Sequence, residues 1–125
     1  MTSRPLSLLS TFALVPAIRV LLHQGSILGL VYLSAFFATL AYHWSGEQRF
    51  QRIDHALAYG VIAANTYMVF ATKRLPLALA GCAFVLLALV AYVDARRNKL
   101  RYDRSHAAWH VLSGLAGFLF ARGYS

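Results

Sequence analysis

Long apolar runs separated by short polar stretches organise this chain from end to end. The runs fall near Leu6–Leu22, Ile27–Trp44, His55–Ala71, Pro76–Val93 and Ser105–Ala121. Between Asp54 and Lys73 only His55 can carry charge, and between Leu75 and Val93 nothing can. Runs of roughly 18 to 20 residues are long enough to cross a hydrocarbon core as helices. None alternates strictly, as a barrel strand would, and a helix is the other way to satisfy every backbone group in lipid. The pattern predicts an all-α integral membrane helix bundle of about five transmembrane helices, in a single domain over residues 1–125.

The breaks between the runs have recognisable chemistry. Gln24-Gly25-Ser26 separates the first two, and Trp44 to Ile53 makes a polar connection. Lys73, Arg74 and Pro76 mark a tight turn, with the proline suited to a helix start. Ala95 to Arg104 reads as a strongly basic loop. The first run follows Arg4 as in a signal peptide, but Arg19 appears where a small-x-small cleavage site is needed. A retained first helix is the expectation.

Composition supports the membrane reading. The chain is 59% hydrophobic and 13% charged, whereas soluble domains carry about a quarter charged residues. The net charge of +8 raises nucleic acid as a partner. The basic residues, however, sit in short connections, where they orient helices against an anionic inner leaflet; no nucleic-acid partner is expected. If all five runs span, Arg4, Arg49, Arg52, Arg96, Arg97, Lys99, Arg101 and Arg104 share one side, against Arg19, Lys73, Arg74 and Arg122 on the other. Eight against four makes the first side cytoplasmic, with the N-terminus inside and the C-terminus outside. Cys82 is the lone cysteine and forms no intrachain disulfide. Flanked by Gly81 and Ala83, it reads as a small packing residue.

The ionisable residues fall into place on this topology. His43 ends the second run, Asp54 opens the third, Asp94 closes the fourth, and His106 and His110 begin the fifth. All then lie at the cytoplasmic face, together with His55, while His23 lies opposite. Ionisable groups inside a membrane are costly and mark function by default. His106 and His110 are four apart, one turn along a helix face. That spacing lets two imidazoles grip one metal ion and disfavours a haem, whose axial ligands approach from opposite faces. His43 completes a three-histidine set. Zinc held so keeps a fourth position open for water and lowers its pKa to about 7. Asp54 then moves the proton to a leaving group. Thr39, one turn before His43, offers a hydroxyl to that water or to a reacting oxygen.

Each residue also has a plainer reading. His43 beside Trp44 fits an interfacial residue. His106 and His110 fit interhelical packing. Asp54 fits a helix cap, and Thr39 a small packing residue. His55 points about 100° away from Asp54 around a helix, towards a role behind the ligands or in packing. Asp94 fits a partner for the arginines that follow it, Glu47 a loop charge, and Ser34 a position half a turn out of phase with His43. Agreement among His43, Asp54, His106 and His110 is what favours a metal site.

The stretch His106-Ala107-Ala108-Trp109-His110-Val111-Leu112-Ser113-Gly114 resembles the last helix of alkaline ceramidases, in the CREST superfamily of membrane hydrolases. That superfamily also includes the progestin and adipoQ receptors and the lipid-remodelling enzymes of GPI-anchored proteins. His43 and Asp54, eleven apart, match the spacing of the first zinc histidine and the aspartate in the ceramidase and remodelling branches. The resemblance implies zinc ligands at His43, His106 and His110, with Asp54 in the acid/base position. It covers the second, third and last runs, less than half the chain. Two departures stand out: Thr39 where the family usually has serine, and room for about five helices where it has seven. Aligning Ser34 with that serine instead puts Ala38 at the ligand position and breaks the set.

The expected function is a zinc-dependent hydrolase acting on an amide or ester bond of a membrane lipid, with Asp54 and Thr39 catalytic. The alternatives are a non-catalytic membrane protein with a structural or regulatory zinc, and a haem or ion-handling protein.

Overall fold

The structure, a computed structural model, describes residues 5–125, with side chains described from residue 8. Arg4, used above in the charge count, lies outside the described residues. Every element among those residues is helical, with no strand. Helix α1 (Pro5–Ser10), a 3-10 turn (Thr11–Leu14) and α2 (Val15–His23) form one interrupted run. Helices α3 (Leu28–Ser45), α4 (Gln48–Phe70), α5 (Leu75–Arg97) and α6 (Tyr102–Tyr124) follow.

Three expectations about boundaries are corrected. The first run is not a single straight helix: it tightens into the 3-10 turn just before Pro16, whose ring favours a helix start. Helix α4 begins at Gln48, so most of the expected polar connection is helical and Asp54 lies nearly two turns inside it. The basic stretch Ala95–Arg104 is mostly helical too, because α5 runs to Arg97 and a short 3-10 turn (Lys99–Arg101) leads directly into α6. The sharp reversal between α3 and α4 needs Gly46, whose φ of 70° is left-handed; its N–H closes α3 on the Tyr42 carbonyl at 2.7 Å.

Helix α6 is the central element and packs against α1, the 3-10 turn, α2, α4 and α5, while α3 pairs with α4 and α2. Its inward face is made of small residues, Gly114, Ala116, Gly117 and Ala121, which let neighbouring backbones approach closely. A Cβ on Gly114 would stand 2.4 Å from the Ala13 carbonyl oxygen. Only glycine fits there, and this contact seats the N-terminal run against the middle of α6. Tyr32, Leu21, Met68 and Phe120 fill the core around that face. The buried Tyr32 hydroxyl donates to Asn65, so the core carries a satisfied polar link between α3 and α4.

The connections settle at two ends. Lys73 N–H donates to the Gly123 carbonyl at 2.8 Å, binding the α4–α5 turn to the last turn of α6. The α3–α4 reversal and the α5–α6 turn lie at the other end, with the histidines. One helix among the described residues, Leu75–Arg97, is long and apolar enough to cross a membrane, and only 17% of its most apolar stretch is buried. Helices α4 and α6 match its length but not its apolarity, and α3 and the first run are shorter and less apolar.

Candidate metal centre

Helix α3 supplies His43 from its last turn, and α6 supplies His106 and His110 from its second and third. The antiparallel course of the chain brings these to one level, and one nitrogen from each lies within 4.8 Å of the others. His43 Nε2 and His106 Nε2 are 3.2 Å apart. The ring centroids are separated by 5.0 Å (His43 and His106), 5.2 Å (His43 and His110) and 4.5 Å (His106 and His110). His43 is buried and the other two are partly buried. The three histidines are positioned to hold a metal ion.

Aromatic neighbours hold the rings. Tyr102 stacks on His106 with centroids 5.0 Å apart and planes 16° apart. Trp109 meets His106 edge-on at 5.0 Å and lies tilted against His110, and Tyr42 lies against His43. Ser10, from the N-terminal run, places its Oγ 3.0 Å from His110 Nδ1. When Nδ1 carries the proton it donates to Ser10, and that tautomer puts the lone pair on Nε2, the usual way a ligating histidine is fixed. Sequence reasoning missed Ser10. Its signal was a pair of hydroxyls, Ser10 and Thr11, inside an otherwise apolar run; Thr11 is 1% exposed.

Asp54 does not cap α4, since that place belongs to Glu47, which is extended and pairs with Arg49 at 2.6 Å. Asp54 instead faces α3, where it accepts a hydrogen bond from the buried Thr39 hydroxyl. Thr39 thus meets the carboxylate, a partner the sequence reading had not given it. His55 on α4 and Ser34 on α3 are both exposed. His23 lies at the end of α2, away from the set.

Asp94 lies one residue beyond the apolar run Pro76–Val93. Its carboxylate accepts from Arg101 Nη2 at 2.7 Å and from Ser105. Asp94 sits in the last turn of α5, where it anchors Ser105, the residue just before His106.

No known protein family, curated protein or solved structure matches the chain.

Proposed function

We propose that this protein is a zinc-dependent membrane hydrolase that cleaves an amide or ester bond of a lipid, with its site near the cytoplasmic face. The observation carrying this reading is the convergence of His43, His106 and His110. Tetrahedral zinc with nitrogen ligands near 2.0–2.1 Å has ligand atoms about 3.3 Å apart. The His43–His106 nitrogen separation of 3.2 Å is close to that edge. Imidazole suits several transition metals, and three histidines with an open fourth position suit catalytic zinc best.

When bound, zinc supplies a Lewis acid towards a carbonyl and makes water acidic near neutral pH. The chain's own residues handle the proton. Thr39 donates to Oδ1 of Asp54, which leaves Oδ2 to accept a proton and return it to the departing amine or alcohol. Thr39 is therefore a positioning residue acting through Asp54. Ser10 and the rings of Tyr102 and Trp109 orient the ligands.

The membrane half of the reading rests on exposed apolar surface. A core helix of a soluble protein is mostly buried, but α5 leaves Leu79, Leu86, Leu87, Leu89 and Val90 exposed. Phe37 on α3, Ile62 on α4 and Leu115 on α6 are exposed as well. Water is a poor solvent for so much apolar surface. The resemblance of His106–Gly114 to the last ceramidase helix supplies the lipid substrate class.

A second reading has a specific observation behind it. The histidines join α3 to α6 inside an aromatic casing, which suits a structural or regulatory zinc clip between the two helices. Turnover separates the two readings. Zinc-loaded protein in nanodiscs is offered labelled ceramides, acylated amines and phospholipids, with metal content measured in parallel. Cleavage that Asp54→Asn abolishes supports the hydrolase; folded, zinc-loaded protein inert on the whole panel supports the clip.

A further inference from the structure

We propose a binding site for an anionic phospholipid in the groove between α2 and α6, at the end of the bundle opposite the histidines. The proposal rests on the membrane reading and is independent of the metal. A cavity of about 560 Å³ opens there, lined by Val15, Arg19, Val20 and His23 of the α2 run and by Phe118 and Arg122 of α6, among others. Its size lies within the usual range for a small-molecule site.

The two helices repeat one arrangement. Val15 precedes Arg19 by four residues on α2, and Phe118 precedes Arg122 by four on α6. Four residues are about one turn, or 6 Å along the axis, so each helix presents an apolar side chain one turn deeper than an arginine. The helices run parallel towards the same end, and both arginines border one cavity. A phosphate between Arg19 and Arg122, with an acyl chain against Val15, Val20 and Phe118, matches that gradient. Free phosphate would use the arginines and leave the apolar wall without a role.

Charge singles out this end. The four acidic residues, Glu47, Asp54, Asp94 and Asp103, all lie on the segments at the histidine end. The opposite end carries Arg19, Lys73, Arg74 and Arg122 with no carboxylate side chain among them. The ion pairs among the described residues are Arg49 with Glu47 and Arg101 with Asp94, so neither pocket arginine has an acidic partner. The C-terminal ends of α2 and α6 point the same way, but each helix dipole contributes only about half a negative charge. The two arginines are the side chains of fixed positive charge that border the groove, which also includes His23 and Ser125.

Equilibrium titration of the purified full chain in neutral detergent tests this, with labelled phosphatidylglycerol as probe, phosphatidylcholine as comparator and inorganic phosphate as competitor. Phosphatidylglycerol is expected to bind in preference. Arg19→Gln with Arg122→Gln should weaken it roughly a hundredfold, from the loss of two charge-assisted hydrogen bonds to the phosphate. Lys73→Gln with Arg74→Gln, at the same end but outside the groove, should change it far less. Arg19→Lys with Arg122→Lys, which keeps the charge, should retain most of the binding and guards against a folding defect. Equal affinity for the two lipids, full binding by the Arg→Gln pair, or displacement by inorganic phosphate at matching concentration overturns the site. Alkaline carbonate washing of cell membranes tests the reading beneath it. Release of the protein sinks both, whereas retention without a phosphatidylglycerol preference sinks the groove alone.

Discussion

The Thr39 hydroxyl donates to Oδ1 of Asp54 and so ties α3 to α4 one helical turn before His43. Thr39 and His43 are four apart, so their Cβ atoms lie about 5–6 Å apart on one face of α3, and the carboxylate is held from that face. Asp54 is therefore neither a cap nor a loop charge. It is a carboxylate whose orientation is fixed from the helix that also carries His43.

Asp54→Asn should abolish lipid hydrolysis while leaving zinc bound, because asparagine keeps the shape and cannot accept the proton. Loss of a general acid/base costs about 10²–10⁴-fold in rate. Thr39→Ser keeps the hydroxyl and should keep activity; Thr39→Val removes the donor and should lose most of it. Single-turnover assays with metal content alongside check all three. Equal turnover by Asp54→Asn and wild type sinks the mechanism even where hydrolysis is real.

Purified protein should hold about one zinc per chain with nitrogen ligands near 2.0–2.1 Å by X-ray absorption. Alanine at His43, His106 or His110 should each sharply lower occupancy, since each supplies one nitrogen to the set. Zinc unchanged in all three variants removes the site.

Ser10→Ala tests the contact that comes from outside α3 and α6. Without the oxygen 3.0 Å from His110 Nδ1, the imidazole loses the partner that fixes its tautomer. Zinc affinity should fall about 10–100-fold, the usual effect of removing such a partner, with helix content unchanged. Competition with a chelating dye measures it, and wild-type affinity in Ser10→Ala removes Ser10 from the centre.

Gly114→Val should weaken the fold, because the new side chain enters space held by the Ala13 backbone. Overpacking of this kind costs about 1–3 kcal/mol. The thermal midpoint should drop, and zinc affinity should drop with it as the N-terminal run and Ser10 move away from α6. A stable Gly114→Val protein with intact zinc binding shows that this approach does not position the centre.

The helical architecture was legible because α3, α5 and α6 coincide closely with apolar runs whose ends carry glycine, proline or charge. The meeting of His43 with His106 and His110 was legible from parity: helices that alternate direction bring alternate ends together. Polar runs misled at Gln48–Ile53 and Ala95–Arg104, which are charged yet mostly helical. Charge reports exposure, and an exposed helix turn is as polar as a loop. The partnerships of Ser10 and Thr39 were hidden because they depend on helix rotation, which periodicity alone does not set. His55 shows the same limit, since its exposure follows from how α4 is turned towards α3.

The orientation of the bundle gives a prediction independent of the metal. Within the described residues, Arg49, Arg52, Arg96, Arg97, Lys99, Arg101 and Arg104 lie towards the histidine end, and Arg19, Lys73, Arg74 and Arg122 towards the other. Short basic connections are retained on the cytoplasmic side, and acidic residues contribute little to that choice. The histidine end should therefore face the cytoplasm, with the end of α6 outside. A cysteine placed at Ser125 in a Cys82→Ala background should be labelled by an impermeant maleimide on intact cells. A cysteine at Lys99 should be labelled only after the membrane is opened. Labelling of both in intact cells shows that α6 does not separate the two sides; labelling of the cysteine at position 99 alone inverts the orientation. Reversing the bias, by changing Arg96 and Arg97 to glutamine and adding lysines beside Lys73, should shift the label towards the opposite pattern, because orientation follows the difference in basic residues between the two sides.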